Sequence, residues 1–454
     1  MPSDPHALLT RPNQRPPQAC APPTPISLPG AGARIAMLSV HTSPLARPGG
    51  YAAGGMNVYI RETARHLARL GYSVDVFTRD DGSRPEVVSL GRGARLVSVV
   101  AGPRQPLQKE RIPGCLPEFL NGMRSFRQRH DLHYDLLHSH YWHAGWVASL
   151  LGPRWGAPHV TMFHTLGEVK NRARLSEHEP DLRIEAEQRI AQSADRIICA
   201  GEHERQVLVN LYGADPDRTA VVPCGVDLRR FRPLDRDTCR RTLGLGDAPI
   251  VLFVGRVEPL KGIDILVEAM AQLERRDARL LVVGGDAQAA GEVHRLQARA
   301  AALGIDDRVT FIGAVEQAQL PCYYNAADVC AVPSFYESFG MVAVESMACG
   351  TPVIASRVGG LATTIRDGET SYLIPWRCPE PFAERIDLLI ENDELRRNLG
   401  RAARRAMYRF GWPKIAAALA AEYTRLWTEH AGGATCHARS PEPHSFGHTL
   451  CEAR

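Results

Sequence analysis

Two carboxylates that stand eight positions apart, Glu337 and Glu345, flank a glycine in the stretch of this chain richest in chemistry. Apolar residues recur at helical spacing after Gly340, which predicts a helix that begins near this glycine. The unpaired N–H groups and the positive dipole end of such a helix would suit a phosphate. Glu345, just over one turn into the helix, would accept a hydrogen bond from a sugar hydroxyl. The alternative is an ordinary strand–helix–strand unit with two surface glutamates.

Two cations, Arg256 and Lys261, flank a turn that contains Pro259. The turn follows an apolar strand pattern and precedes a helical one. Arginine offers a planar fork to phosphate oxygens and lysine a point charge. Because ligands of open α/β sheets bind at the carboxyl ends of the strands, this position favours a phosphate site over a solvated basic loop.

A glycine loop follows the first strand pattern of the chain and ends in Gly54-Gly55-Met56-Asn57. A Gly-Gly pair that opens a helix can hold an anion. The loop lacks G-x-G-x-x-G, so a dinucleotide site is poorly supported. A tight turn without a ligand is an equally good interpretation.

Histidines collect after two strand patterns, with His138, His140 and His143 after one and His164 after the next. Metal binding is one interpretation, but no carboxylate partner or ligand spacing is evident. A histidine of this kind is more often a packed, hydrogen-bonded residue. Histidines gathered at strand ends beside a cleft would also recognise sugar hydroxyls.

Two further polar sets carry weaker signals. D-x-D occurs at 215–217 and 235–237, and both are interpreted as structural because they lie in polar loops. The cations Lys109, Lys170 and Arg183 are far apart in the sequence. Their spacing does not show clustering, and exposed charge is the simpler interpretation.

Short apolar strand patterns alternate with helical or loop segments along most of the chain. This alternation predicts an α/β protein with two doubly wound, Rossmann-like domains of parallel strands that face an interdomain cleft. The strands predicted for the first sheet are Arg34–Val40, Ser73–Thr78, Ala94–Val100, Tyr134–His138, His159–Phe163, Arg196–Ala200 and Ala220–Val222. Those predicted for the second sheet are Pro249–Gly255, Arg279–Val283, Val309–Ile312, Val329–Val332 and Val353–Ala355.

The domain boundaries follow from the same alternation and from proline and glycine content. A helix pattern over Trp412–Trp427 is expected to pack back on the first domain. The predicted segments are a disordered tail or over-long start at 1–32, a first domain at 33–225, a second at 226–410, the returning helix at 411–430 and a disordered tail at 431–454.

Composition excludes several classes of protein. A formal net charge of +4 over 454 residues does not suggest a nucleic-acid or membrane-surface partner. Eleven scattered cysteines without C-x-x-C fit reduced thiols in the cytoplasm. No apolar run approaches the ~20 residues needed to span a bilayer, and the N-terminus lacks a signal-peptide pattern. The sequence leaves a homodimer open.

Taken in order, the motifs resemble those of family 4 retaining glycosyltransferases with the GT-B fold. The resemblance covers roughly residues 34–430. It is carried by E-x7-E at Glu337 and Glu345, by G-R-x4-K at Arg256 and Lys261, and by A-C-G-T-P-V-I-A-S. It implies an enzyme that binds a nucleotide-sugar donor between its two domains.

The first domain is similar to the inositol-3-phosphate N-acetylglucosaminyltransferases of mycothiol biosynthesis, which use UDP-N-acetylglucosamine. The matching stretches are S-V-H-T-S-P-L at 39–45, A-G-G-M-N-V-Y at 53–59, H-S-H-Y-W at 138–142 and H-T-L-x-x-V-K-N at 164–171. Sucrose-phosphate synthases, whose acceptor is also a phosphorylated polyol, are similar as well. The resemblance therefore implies a UDP-sugar donor and a phosphorylated small-molecule acceptor.

The resemblance also implies roles for single residues. Those implied to be catalytic are Arg256, Lys261, Glu337 and His164. Those implied to bind the donor are His41, Gly55, Arg256, Lys261, Val315, Glu337, Gly340, Met341, Val342 and Glu345. Those implied to bind the acceptor and its phosphate are Asn57, Lys109, Tyr141, Thr165 and Arg183.

Within the donor set, Arg256 and Lys261 would hold the diphosphate, Glu345 the ribose and Glu337 the transferred sugar. Backbone near Val315 would meet the uracil. Gly55 would let the diphosphate lie against the chain. His41 would face the donor and His164 the transferred sugar.

The sequence departs from the inositol-phosphate pattern at two places. Ala52 stands where those enzymes usually have an aspartate that helps to hold inositol. Gly167 and Glu168 replace the usual alanines and give H-T-L-G, closer to the H-S-L-G of sucrose-phosphate synthases. The alternatives are therefore a glucosyltransferase like those synthases or a family 4 enzyme with another acceptor.

Retention without an evident nucleophile suggests front-face displacement, in which the donor's own phosphate oxygen takes the acceptor proton. No metal is then strictly required, although Mg²⁺ is compatible with the donor diphosphate. Three rivals stay open: a UDP-sugar epimerase of the same fold, a sugar-binding module without turnover, and a dehydrogenase. The missing dinucleotide fingerprint disfavours the last.

Overall fold

Two sheets organise the computed structural model, which describes residues 32–46, 54–173, 178–375 and 377–433. The predicted tails fall almost wholly outside these ranges, as does the loop at 47–53 that contains Ala52. Within them, the first sheet has eight strands in the order β3-β4-β2-β1-β5-β6-β7-β8, and the second has six in the order β11-β10-β9-β12-β13-β14.

The first sheet and its helices are formed by β1 (Arg34–Leu38), α1 (Gly55–Arg69), β2 (Ser73–Arg79), β3 (Val87–Gly91), β4 (Ala94–Val99), α2 (Leu116–Arg129), β5 (Leu136–His140), α3 (Tyr141–Trp155), β6 (His159–Met162), α4 (Gly167–Ala173), α5 (Asp181–Ser193), β7 (Arg196–Cys199), α6 (Glu202–Tyr212) and β8 (Thr219–Val221).

The second sheet and its helices are formed by α7 (Arg236–Thr242), β9 (Ile250–Val254), α8 (Ile263–Gln272), β10 (Arg279–Val283), α9 (Ala290–Ala302), β11 (Val309–Gly313), α10 (Leu320–Ala326), β12 (Val329–Val332), α11 (Met341–Cys349), β13 (Val353–Ser356), α12 (Leu361–Thr364), β14 (Tyr372–Ile374), α13 (Pro379–Glu391) and α14 (Asp393–Met407). The last helix of the described chain is α15 (Trp412–Gly433).

The predicted class, two parallel α/β sheets, is confirmed, with one exception at an edge. Strand β3 runs antiparallel to β4 and was not predicted. Its residues are mostly exposed or half-buried, so it lacks the continuous apolar run of a strand covered on both faces. The remaining pairs of both sheets are parallel.

The strand predicted at Tyr134–His138 was placed two residues too early. The structure has Leu136–His140, because Ser139 and His140 pair with β6 although both are polar. Tyr134 precedes the strand, and its buried hydroxyl donates to Asp75 Oδ2 at 2.7 Å. The prediction mistook this buried tyrosine for a strand residue.

Helix α15 lies against the first domain, although it follows the second domain in sequence. Its Tyr423 and Trp427 are buried, and Trp427 Nε1 donates to the backbone oxygen of Asp135 at 2.9 Å. The Trp427 ring stacks on Tyr72 with centroids 6.3 Å apart. The helix continues to Gly433, past the boundary that the sequence predicted at 430.

Parallel strands place the candidate residues at one edge of each sheet. His41 follows β1, Tyr141 follows β5 and His164 follows β6, whereas Arg256 follows β9 and Glu337 follows β12. In such sheets ligands bind outside the carboxyl ends of the strands. None of the helices in the described ranges combines the length and the apolar character that crossing a membrane would require.

Candidate functional site

A cleft of about 660 Å³ separates the two sheets and is lined by residues from both. The predicted residues that line it from the first domain are His41, Gly55, Asn57, Lys109, Tyr141, His164 and Thr165. Those that line it from the second domain are Arg256, Lys261, Val315, Glu337, Gly340, Met341, Val342 and Glu345. Among the predicted residues, Arg183 alone does not line the cleft.

Helix α11 begins where the glycine pattern predicted, with Gly340 at its N-cap. The φ of Gly340 is 91°, so the backbone favours glycine, and a Cβ there would lie 2.5 Å from Leu361 Cδ2 and displace that side chain. The first turn of a helix cannot pair its own N–H groups. Gly340, Met341 and Val342 all line the cleft, so this turn offers donors and a positive dipole end to an anion.

The first residue of α1 approaches α11 across the cleft. A Cβ on Gly55 would lie 3.1 Å from Met341 Cγ, so glycine lets the Met341 side chain pack against the backbone of α1. A second bridge lies nearby, where Arg61 Nη2 on α1 and Arg230 Nη1 donate to Gln317 Oε1 at 2.8 and 3.0 Å. The two domains therefore touch beside the site as well as facing each other.

Lys261 and Glu337 form an ion pair, with 2.6 Å between Nζ and Oε2. Gly262 explains how they meet. Its φ is 66°, and a Cβ would lie 2.2 Å from the backbone oxygen of Pro333, so the loop after β9 packs directly on the loop after β12. Arg256 is less constrained: its side chain is 40% exposed and lies 3.0 Å from Glu258.

Glu345 is buried on α11 and accepts a hydrogen bond from the hydroxyl of Tyr324 at 3.0 Å. Burial raises the pKa of Glu345 to about 7. Its carboxyl group thus changes charge near neutral pH, at a position that lines the cleft. Tyr324 was not among the predicted residues, because its place in the sequence gives no sign that its hydroxyl reaches Glu345.

Asn57 lines the first-domain wall, but most of its hydrogen-bonding capacity is used within the protein. Its amide donates to Thr42 Oγ1 at 2.8 Å and to the backbone oxygen of Ser43 at 2.7 Å, and its Oδ1 accepts from Gly54 N at 2.9 Å. Both amide hydrogens are therefore engaged. A ligand would find the second lone pair of Oδ1 available.

Lys109, Lys170 and Arg183 converge on one buried carboxylate, that of Glu179. Lys109 Nζ lies 3.4 Å from Oε1, Lys170 forms a short contact with the same oxygen, and Arg183 Nη1 lies 2.9 Å from Oε2. The interpretation as separate exposed charges was wrong for Lys170 and Arg183, which are largely buried. We name the three cations Lys109, Lys170 and Arg183, together with Glu179, the cation cluster.

Arg183 is held beneath this cluster by a second carboxylate. Its Nε donates to Glu187 Oε1 at 2.7 Å, and its Nη2 donates to Thr165 Oγ1 at 3.1 Å. Glu187 Oε2 also accepts from the backbone of Gly167 at 2.8 Å and from the Tyr212 hydroxyl at 2.9 Å. The spacing of four between Glu179, Arg183 and Glu187 is the signal in the sequence that could have predicted these contacts, because residues four apart meet on one face of a helix.

The histidines form a buried chain rather than a metal site. His164 Nε2 lies 3.0 Å from His140 Nδ1, and His138 Nδ1 lies 2.6 Å from the Tyr423 hydroxyl on α15. Burial lowers the pKa of His41, His138 and His164 to about 3, so these rings are neutral at physiological pH. In the part of the chain that the structure describes, no three His, Cys, Asp or Glu side chains form a metal-ligand set.

Both D-x-D stretches have the structural role that was predicted. Asp215 Oδ1 accepts from the backbone N–H of Asp217 at 2.9 Å and caps a short helical turn. Asp235 Oδ1 accepts from the backbone N–H of Thr238 at 2.9 Å and caps α7.

Comparisons with known proteins cover both domains and the cleft. Residues 53–230 match the family described as Glycosyltransferase Family 4, and residues 235–406 match Glycosyl transferases group 1. The chain is 45% identical over 407 residues to a D-inositol 3-phosphate glycosyltransferase 2 of Catenulispora acidiphila, covering 86% of this chain and 95% of that protein.

A second relative, a D-inositol 3-phosphate glycosyltransferase of Streptomyces bingchenggensis, is 46% identical over 404 residues, covering 86% of this chain and 89% of that protein. Among solved structures, the sucrose-phosphate synthase of Thermosynechococcus elongatus superimposes with a TM-score of 0.82 at 36% identity, covering 87% of this chain and 99% of that one. The predicted resemblance is therefore confirmed: the chain belongs to the group 1 and family 4 glycosyltransferases of the GT-B fold, and it is a glycosyltransferase.

Proposed function

We propose that this enzyme transfers N-acetylglucosamine from UDP-N-acetylglucosamine to inositol 3-phosphate with retention of configuration. The observation that carries the proposal is the pairing of two anion-binding walls across one cleft. Arg256, Lys261 and the start of α11 form one wall, and the cation cluster lies behind the other. The names of the curated relatives support inositol 3-phosphate as the acceptor.

On the donor side, the diphosphate lies between Arg256, Lys261 and the N-terminal turn of α11. Charge-assisted hydrogen bonds from these groups hold the phosphate oxygens. Glu345, one turn into α11, accepts hydrogen bonds from the ribose hydroxyls. Glu337, which already positions Lys261, accepts from hydroxyls of the transferred sugar.

On the acceptor side, the phosphate binds at the face of the cation cluster that opens to the cleft through Lys109 and Lys170. Tyr141 and Thr165 line the same wall and supply hydroxyl groups. Arg183 acts from beneath: its guanidinium lies 4.9 Å from the centroid of the Tyr141 ring and holds Thr165. A phosphorylated acceptor fits this concentration of positive charge.

In the proposed reaction, the bond from the anomeric carbon to the donor phosphate breaks as the acceptor oxygen attacks from the same face. The acceptor proton passes to the oxygen of the departing diphosphate. Negative charge grows on that diphosphate, so Lys261, Arg256 and the α11 dipole stabilise the transition state more than the ground state. Neutral His164 contacts the transferred sugar by hydrogen bonding.

We propose that catalysis requires no metal ion bound by protein side chains, and that any Mg²⁺ is held by the donor diphosphate. We also propose a cytoplasmic location, because no disulfide bond joins the cysteines among the described residues. A homodimer stays a prediction.

A second candidate is a glucosyltransferase that resembles sucrose-phosphate synthases. It is favoured by the 36% identity to one such enzyme and by Gly167. A Cβ at Gly167 would lie 3.3 Å from both Arg183 Nε and Glu187 Oε2, so the residue type here tunes the acceptor wall. The acceptor would then be fructose 6-phosphate.

A donor-by-acceptor screen for UDP release tests both candidates. UDP-N-acetylglucosamine and UDP-glucose are each combined with inositol 3-phosphate, inositol and fructose 6-phosphate, with EDTA and with Mg²⁺ in parallel. We expect turnover with UDP-N-acetylglucosamine and inositol 3-phosphate, and an axial linkage in the product by NMR. Activity restricted to unphosphorylated acceptors, or a new sugar nucleotide formed from donor alone, would contradict the proposal.

The charge of Glu345 gives a pH-dependent prediction. Its pKa of about 7 lies above the ordinary glutamate value, so the side chain is protonated below that pH and ionised above it. The ionised form accepts better from ribose hydroxyls, so UDP affinity should rise about tenfold between about pH 6 and about pH 8. Calorimetric titration of wild type and Glu345→Gln measures this. An equal rise in the variant would assign the dependence to UDP itself.

A further inference from the structure

The acceptor wall contains an anion of its own. Glu179 is 8% exposed, and its two carboxylate oxygens contact three cations that come from three separate elements. Its backbone N–H donates to Asn171 Oδ1 at 2.6 Å, which holds the residue in place just before α5. A carboxylate in this position binds the three cations that an acceptor phosphate would need.

The cluster retains unused donor capacity despite Glu179. Arg183 Nη1 is buried and lies 2.9 Å from Glu179 Oε2, but it makes no hydrogen bond with acceptable direction. Nε of the same guanidinium donates to Glu187, which anchors Arg183 on the side away from Glu179. Its Nη1 therefore remains available to a ligand. Lys109, by contrast, has a side chain that is 38% exposed, and its Nζ lies farther from Glu179 Oε1, at 3.4 Å.

We propose that Glu179 holds, in the unliganded enzyme, the position that the acceptor's phosphate takes in the complex, and that it weakens the binding of every phosphate, so that free inorganic phosphate does not fill the site. This inference rests on the proposed phosphorylated acceptor. Binding then exchanges one carboxylate for a phosphate, and the Glu179 side chain turns away from the lysines. No other chemical change is required.

A phosphate can displace the Glu179 carboxylate because it has more oxygens and more negative charge. A phosphate monoester presents three acceptor oxygens and nearly two negative charges, whereas a carboxylate presents two oxygens and one charge. Inorganic phosphate gains the same contacts but must displace Glu179 unaided. A phosphorylated polyol adds hydrogen bonds from its ring, so it alone recovers the cost of displacement. The carboxylate thus lowers the affinity for both ligands alike, and the contacts of the ring keep the phosphorylated polyol bound.

The test compares Glu179→Gln with Glu110→Gln. Glutamine keeps the shape of Glu179 and removes its charge, whereas Glu110 is a carboxylate with a 51% exposed side chain that lies 3.8 Å from the same Lys109. We expect Glu179→Gln to lower KM for inositol 3-phosphate, and the inhibition constant of inorganic phosphate, by about tenfold each. KM for inositol should stay constant, and Glu110→Gln should change neither value by more than about twofold.

Phosphate protection against thermal unfolding separates this inference from the proposed function. If wild type fails to use any phosphorylated acceptor, the proposed function is wrong, but inorganic phosphate should still raise the Tm of Glu179→Gln more than that of wild type. Equal Tm shifts in both proteins, or a higher KM for inositol 3-phosphate in Glu179→Gln, would overturn the inference. Glu179→Asp, which retracts the carboxylate from the lysines, provides the same comparison should the glutamine variant not fold.

Discussion

Replacing Lys261 with alanine is expected to lower kcat by about 100-fold or more, the effect of removing one preorganised donor to a developing charge. Lys261 lines the cleft together with Glu337 and the start of α11, and its Nζ lies 2.6 Å from Glu337 Oε2. The loss should appear in kcat more than in KM, because the leaving diphosphate carries more charge in the transition state than in the donor. Initial rates of UDP release under saturating donor measure it.

Two controls separate catalysis from stability in that experiment. Lys414→Ala removes a lysine from the exposed face of α15, and its kcat should match wild type. Lys261→Arg keeps the charge but changes its shape, so it should restore part of the rate. A near-wild-type kcat in Lys261→Ala would remove this residue from the mechanism and leave Arg256 and α11 as the sole anion-binding groups we propose on that wall.

Arg183→Met is expected to lower the free energy of unfolding by about 3–5 kcal/mol, the effect of removing one partner from a buried ion pair. Arg183 and Glu187 are both buried, with Nε and Oε1 2.7 Å apart. Without the guanidinium, Glu187 must either stay charged in an apolar setting or take up a proton, because burial already raises its pKa. Urea denaturation measures the change.

The matched control lies on the same helix. Arg189 pairs with Glu185 at 3.6 Å, and both side chains are about half exposed, so Arg189→Met should cost less than about 1 kcal/mol. Arg183→Met combined with Glu187→Gln should recover part of the loss, because the amide keeps the hydrogen bonds without a charge. Equal stability of Arg183→Met and Arg189→Met would show that the buried pair contributes nothing beyond a surface pair.

Sequence patterns predicted the helices and strands that are determined by residues close together in the chain. The helix at Gly340 and the strand at Ile250–Val254 follow from a glycine and an apolar run that neighbour each other in sequence. The two cations at 256 and 261 were found because they follow that strand. Their position predicted a phosphate site, and the roles that we propose for them toward a sugar donor rest on the resemblance.

Long-range contacts account for what the sequence did not reveal. Lys109, Lys170 and Arg183 meet because a loop before α2, helix α4 and helix α5 converge, and Glu179 completes the set. The Glu345–Tyr324 hydrogen bond likewise joins two helices whose packing no periodicity encodes. Buried polar networks of this kind are decided by tertiary structure, so sequence pattern alone cannot predict them.

The position of α15 bears on how the chain acquires its structure during synthesis. The residues of this helix that cover Tyr72 and bond to Asp135 are made after the whole second domain, whereas the strands that they cover precede that domain in the sequence. Domains generally fold as units and in the order of synthesis. The first domain of this enzyme must instead wait with an uncovered apolar face until the second domain and α15 have been made.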